Sequence, residues 1–125
     1  MIVGVGVDLV DVARFEKSIS NTPALLQKLF VDAELSRAGD SETVRVRSLA
    51  GRFAAKEAFA KSLGAPKGLH WHEVVVANDA SGAPFFKLSG TSADVAAAKG
   101  AQKFHLSISH DGPNAIAFVI AEGGV

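Results

Sequence analysis

The sequence predicts an α+β fold: a mostly antiparallel sheet packed around a long central helix. Three features predict it. Residues 44–64 are rich in alanine and leucine, and their apolar positions (Leu49, Ala50, Phe53, Ala54, Ala58, Phe59) cover most of a helix's circumference. Such a helix belongs inside a fold, not on its rim. Two pairs of β-rich runs, 74–78 with 84–88 and 103–109 with 115–121, are each joined by turn residues and read as antiparallel hairpins. The run Ile2–Val10 adds a further strand. With 125 residues, 48% of them hydrophobic, the chain is read as one domain over 1–125. A domain this small buries a modest share of its surface, and self-association is a common remedy.

In chain order, Ile2–Val10 comes first. Strand parity places Gly4, Gly6 and Asp8 on one face and Val3, Val5, Val7 and Leu9 on the other. The bare glycine face lets a helix or a ligand approach the backbone closely. Asp11–Ile19 reads as a short helix, with Val12, Phe15 and Ile19 at helical spacing. Thr22 caps a second helix that starts at Pro23 and runs to about Phe30. Asp32 starts a third, through Arg37, and 38–42 is a polar loop. The long helix closes at Gly64-Ala65-Pro66. Asp79-Ala80-Ser81-Gly82 turns the first hairpin. Ser89–Lys99 is a helix, capped by Ser89 or Thr91 and stopped by Gly100. The loop 110–114 turns the second hairpin.

Composition narrows the function classes. The formal net charge is zero, which disfavours a bulk nucleic-acid binder. The chain has no cysteine, so disulfides and thiolate metal sites are excluded. No apolar stretch approaches the roughly 20 residues that span a bilayer. The N-terminal MIVGVGVDLVDVARF has no basic leader and Asp8 interrupts it, so it reads as a strand. A cytoplasmic protein is the expectation.

Two residues break the local pattern. Asp8 lies inside an apolar strand, where a carboxylate is costly unless paired or bound to a cation. Capping of a neighbouring element explains it equally well. Glu57 lies in the middle of the long apolar helix, and Lys61 four residues on could pair with it. If the helix is buried, Glu57 needs a stronger partner. Two carboxylates on two buried elements could meet at one metal. So few protein oxygens suit magnesium, which keeps waters and takes phosphate oxygens.

From Thr43 to Trp71 the cations Arg45, Arg47, Arg52, Lys56, Lys61 and Lys67 face one acid, Glu57. This basic zone suits a polyphosphate or an acidic protein, unless acids elsewhere in the fold neutralise it. Along 105–111, His105, Ser107 and Ser109 share one strand face and His110 lies on the other. The first face either meets solvent or donates to a phosphate. No Gly-x-Ser-x-Gly elbow accompanies them, which argues against a Ser-His-Asp hydrolase. His70 and His72, with His105 and His110, lack diagnostic zinc spacing and read as ordinary histidines. Gly4-Val5-Gly6 lacks the third glycine of a dinucleotide fingerprint.

Three blocks then carry a resemblance: Gly4-Val5-Gly6-Val7-Asp8-Leu9-Val10 followed by Arg14; Gly51-Arg52-Phe53-Ala54-Ala55-Lys56-Glu57-Ala58-Phe59-Ala60-Lys61; and His105-Leu106-Ser107-Ile108-Ser109-His110. In this order and spacing, with Gly82 two before Pro84, the whole chain resembles the holo-[acyl-carrier-protein] synthases. These are the small 4'-phosphopantetheinyl transferases of fatty acid biosynthesis. The resemblance implies transfer of 4'-phosphopantetheine from coenzyme A to a serine of apo acyl carrier protein, with release of 3',5'-ADP. It implies Mg²⁺ held by Asp8 and Glu57 and bound also to the coenzyme A diphosphate, with Lys61 near the phosphates. It implies that Arg52, Gly82, Pro84 and His105 or Ser109 enclose the nucleotide, and that Arg14 meets the carrier's acidic helix. It further implies a homotrimer with active sites at subunit interfaces. For the serine proton, Glu57, a water on the metal, or His110 with Asp111 are the candidates. The loop 38–42 and the segment 67–73, with Trp71, receive no role.

Two rival readings remain. One is a non-catalytic trimeric binding module for an acidic carrier protein or a nucleotide, with Asp8 and Glu57 structural. The other is a metal-dependent phosphohydrolase, which would need a further carboxylate cluster that the sequence lacks.

Overall fold

Burial of one helix against one sheet organises the molecule. The computed structural model describes residues 1–124. The elements run β1 (Ile2–Asp11), α1 (Val12–Asn21), α2 (Leu25–Leu29), α3 (Asp32–Arg37), α4 (Glu42–Ser62), β2 (Val74–Asn78), β3 (Pro84–Leu88), α5 (Gly90–Ala98), β4 (Lys103–Asp111) and β5 (Asn114–Glu122). A single 3₁₀ turn, Trp71–Glu73, precedes β2. The strands form an antiparallel sheet of order β1-β5-β4 and a separate β2-β3 hairpin. The architecture is therefore the α+β arrangement the sequence predicts, with α4 as its long central helix.

The α4 helix lies across the inner face of the three-stranded sheet. Ala115, Ala117, Val119 and Ala121 of β5 are fully buried beneath it, and their small side chains let it come close. The glycine face of β1 meets the same helix, which decides between the helix and the ligand left open by the sequence. A Cβ on Gly4 would fall 1.9 Å from the Ser62 carbonyl oxygen, and one on Gly6 1.9 Å from that of Ala58. No side chain fits there. Phe59 of α4 packs on Phe86 of β3 and Phe104 of β4, at ring separations of 5.2 and 4.7 Å, joining hairpin to sheet.

Several boundaries shift for local reasons. Asp11 ends β1 and caps α1, its carboxylate accepting the Arg14 N–H at 2.9 Å. Ser41 accepts from Val44 N–H at 3.2 Å, so α4 starts at Glu42 and takes that residue from the predicted loop. Neither Ser89 nor Thr91 caps α5. Glu73 does, its carboxylate accepting from the N–H groups of Thr91 and Ser92 and from the Ser92 hydroxyl. The second hairpin is tighter than predicted: Asp111 pairs with Asn114, so His110 sits in strand β4.

On β1 and β5 the outer face of the sheet stays apolar. Val5, Val7, Leu9, Ile116 and Phe118 keep between 39% and 63% of their surface exposed. Among the described residues, no helix is long and apolar enough to cross a membrane.

Candidate active site

Gly4 lies over Ser62 and Gly6 over Ala58, so β1 descends α4 antiparallel to it, about one turn for every two strand residues. The next residue on that face is Asp8, which arrives beside Glu57 and Lys61. Lys61 Nζ donates to Asp8 Oδ1 at 2.9 Å and to the Val7 carbonyl at 3.2 Å. The helical pair expected of Lys61 with Glu57 is thus replaced by a pair with Asp8. Burial pushes the proton affinity of Glu57 above the ordinary carboxylate range, and the charge of Asp8 adds to it. The Lys61 charge opposes the shift, and no hydrogen-bond donor contributes.

Asp8 and Glu57 open into a cleft of about 610 Å³ at the β1 edge of the sheet, walled by Phe15, Leu29, Phe53 and Trp71. Arg14, exposed, and Lys28 stand at its margin. Trp71, without a role in the sequence reading, is therefore a wall of this cleft.

A second cleft, of about 390 Å³, lies at the opposite, β4 edge. Arg47, Arg52, Asn78, Gly82, Pro84 and His110 line it. Arg52 Nη1 donates to the Val76 carbonyl at 2.8 Å and Nη2 to Asn78 Oδ1 at 3.2 Å. Its Nε is buried without a partner among the described residues, leaving an N–H unsatisfied. Desolvation lowers the proton affinity of this guanidinium, partly offset by Glu34. His110 Nε2 lies 2.8 Å from the Arg47 carbonyl. A carbonyl only accepts, so Nε2 carries the proton and Nδ1 is the ring's acceptor in the neutral form. The sequence reading gave Arg47 only as one cation of the basic zone and Asn78 only as the start of the turn that leads to Gly82 and Pro84.

His105 and Ser109 line neither cleft. They project from the outer sheet face, where His105 Nε2 meets Glu122 Oε1 at 2.9 Å. Asp111 ends β4 beside His110, and the structure gives its carboxylate no hydrogen bond to the ring.

The basic zone is smaller than the sequence count. Lys56 is fully buried and its ammonium faces inward, 2.8 Å from Glu34 Oε1. Burial pushes its proton affinity down and Glu34 pulls it back up. Replacing such a pair by apolar residues is often neutral, whereas removing one member is costly. Glu34 lies 22 residues before Lys56 and carried no signal of its own, but a lysine inside an apolar helix is the same anomaly as Glu57. No three His, Cys, Asp or Glu side chains gather into a metal-binding cluster among the described residues, so the four histidines do not form one.

Comparison with known proteins completes the picture. Residues 4–119 match the family model described as the 4'-phosphopantetheinyl transferase superfamily. The chain is 51% identical over 123 residues to the holo-[acyl-carrier-protein] synthase of Clavibacter sepedonicus, covering 98% of each. It is 49% identical over 122 residues to that of Streptomyces coelicolor, again covering 98% of each. The fold matches the crystal structure of a holo-ACP synthase from Plasmodium yoelii with a TM-score of 0.88 at 29% identity, over 100% of this chain and 98% of that one. It matches the Helicobacter pylori enzyme in complex with coenzyme A with a TM-score of 0.82 at 30% identity, over 94% and 99%. With Asp8 and Glu57 at one cleft and Lys61 bonded to Asp8, and with relatives half identical over nearly its whole length, the chain belongs to the holo-[acyl-carrier-protein] synthases of the 4'-phosphopantetheinyl transferase superfamily.

Proposed function

We infer that the protein transfers the 4'-phosphopantetheine arm of coenzyme A to a serine of apo acyl carrier protein, giving the holo carrier and 3',5'-ADP. The observation that carries this is the pair Asp8 and Glu57 held beside Lys61 in a chain of this family. The serine oxygen attacks the phosphorus on the pantetheine side of the diphosphate. That oxygen–phosphorus bond forms, the bond to the bridging oxygen breaks, and 3',5'-ADP leaves with the electron pair. Lys61, half exposed, would offset charge on the phosphates, and Arg52, a cation lining the other cleft, is suited to an anion there.

The two carboxylates fit a magnesium ion. Burial, with the charge of Asp8 added to it, raises Glu57, which a divalent cation would relieve, and the pair leaves most of an octahedral shell to water and phosphate. Bound by Asp8 and Glu57, Mg²⁺ would supply charge to offset the diphosphate. For the serine proton we favour the Glu57 carboxylate over His110. Glu57 lies in the cleft with Asp8, whereas His110 would reach that site only from a neighbouring copy, with Nε2 committed to Arg47.

We further propose a homotrimer. The carboxylate cleft and the Arg52 cleft sit at opposite edges of one sheet, so one coenzyme A meets both only between copies. Joining β1 edge to β4 edge would be a head-to-tail contact, which closes as a three-membered ring where each copy is turned by a third of a circle. Its natural core is the exposed apolar sheet face, and an interface there also gives His105 and Ser109 access to the nucleotide. Arg14, exposed at the cleft margin, is suited to the carrier's acidic helix. The cysteine-free chain is compatible with the cytoplasm, where we place the reaction within fatty acid biosynthesis.

The test is intact-mass spectrometry of apo acyl carrier protein after incubation with this protein, coenzyme A and Mg²⁺, with EDTA in parallel. A phosphopantetheine-sized gain that EDTA abolishes is expected. No gain by a folded sample with several apo carriers would favour the binding-module reading instead.

A further inference from the structure

Lys56 has three N–H donors and all are used inside the protein. They go to the Leu29 carbonyl at 2.7 Å, Glu34 Oε1 at 2.8 Å and the Trp71 carbonyl at 2.9 Å. Leu29 and Trp71 are walls of the carboxylate cleft, and Lys56 is the residue before Glu57. The other oxygen of Glu34 accepts the Val76 N–H at 3.0 Å. The Val76 carbonyl in turn accepts from Arg52 at 2.8 Å. Arg52 then donates to Asn78 at 3.2 Å, and Asn78 donates to the Gly82 carbonyl at 3.0 Å. Val76, Arg52, Asn78 and Gly82 line the opposite cleft. One chain of hydrogen bonds thus runs through the interior from one half-site to the other.

We propose that Lys56 and Glu34 are positioning residues that hold the walls of both clefts in one frame. Both side chains are fully buried, and neither lines a cleft. Stability alone does not call for an ion pair at such a place, since apolar residues of similar volume commonly serve as well. What apolar residues cannot do is bind the carbonyls at the end of α2 and in the Trp71 turn and the N–H of a strand at once. The inference rests on the transferase reading given above. Its consequence is that a fault at this node disturbs two sites at opposite edges of the sheet together.

The experiment compares Lys56→Met, Glu34→Gln and the double variant with Leu49→Ala, a cavity variant at a fully buried α4 position outside both clefts. The double variant removes the cation and the full anion together, so it remains foldable where a single variant fails. Holo-carrier formation is measured well below each melting temperature, with KM for coenzyme A and for the carrier resolved separately. Expected is a loss of about 100-fold in kcat/KM for the double variant, the scale of a misplacement near 1 Å, with both KM values raised. Leu49→Ala, although less stable than the parent, is expected to keep near-parental kinetics. Parental kinetics in the double variant, or an equal loss in Leu49→Ala, would overturn the proposal. Amide hydrogen exchange gives a readout that needs no turnover. Faster exchange both at Trp71–Glu73 and at 78–82, in the double variant but not in Leu49→Ala, is expected even if the carrier reaction itself fails. Exchange unchanged at either segment contradicts the shared frame.

Discussion

The two clefts differ in what they hold. The cleft at the β1 edge contains Asp8, Asp11 and Glu57, with Arg14 and Lys28 toward the margin. The cleft at the β4 edge contains Arg47, Arg52 and His110 and no acid. On the proposed reading, metal and diphosphate chemistry would use the first and an anionic nucleotide the second. Each would then be half of a site that the sheet keeps apart within one chain, and self-association would complete it.

Breaking the carboxylate cleft at its foundation should have the largest effect. Gly6→Ala drives a methyl into the Ala58 carbonyl and lifts β1 from α4. A destabilisation of about 3 kcal/mol or more is expected, read as loss of the folded fraction by circular dichroism. Parental stability would mean that close contact with α4 does not hold β1.

Next comes the carboxylate pair itself. Glu57→Gln should fold and lose at least about 100-fold in holo-carrier formation. Its stability should move the other way. A carboxyl whose folded-state proton affinity is raised makes a contribution that is lost as pH rises through its folded value. Metal-free Glu57→Gln should therefore melt above the parent at neutral pH, with the gain vanishing at acid pH where Glu57 is protonated. Added Mg²⁺ should stabilise the parent and not the variant. A variant less stable than the metal-free parent at neutral pH would contradict the repulsion between Glu57 and Asp8.

The anomalies were legible where the argument was local. Asp8 and Glu57 stood out because each places a charge inside an apolar run, and parity put Asp8 on the glycine face. The partner of Lys61 was not legible. Helical spacing offered Glu57, whereas Asp8 comes from a strand 53 residues earlier in the chain. Counting cations by sequence likewise placed Lys56 in a basic zone, because its partner Glu34 belongs to a different helix. Glu73 as the cap of α5 was hidden for the same reason: the carboxylate arrives from the Trp71 turn, not from the helix. Helix, strand and turn placement follow periodicity; long-range pairing does not.

A smaller effect is expected when the outer face is altered. Phe118→Glu places a charge on the exposed apolar sheet face, away from both clefts. Light scattering should show a lower oligomeric mass, and activity should fall with it. A monomer with parental activity would remove the case for sites between copies. The smallest effect is expected at His110. His110→Gln keeps a donor for the Arg47 carbonyl, so activity within about tenfold of the parent is expected. A loss of about 1000-fold, with the acidic limb of the pH–rate profile gone, would return the proton-accepting role to His110.

The separation of the half-sites is tested most directly by complementation. Asp8→Asn and Arg52→Gln chains, each folded and inactive alone, are co-expressed with different tags and the doubly tagged assemblies are purified. If each site takes its carboxylates from one copy and its Arg52 cleft from the next, every mixed trimer keeps one of its three interfaces intact, about a third. Holo-carrier formation should then return to a comparable fraction of the parental rate. If mixed assemblies form and remain inactive, both halves must act within one chain, and the ring of shared sites is wrong.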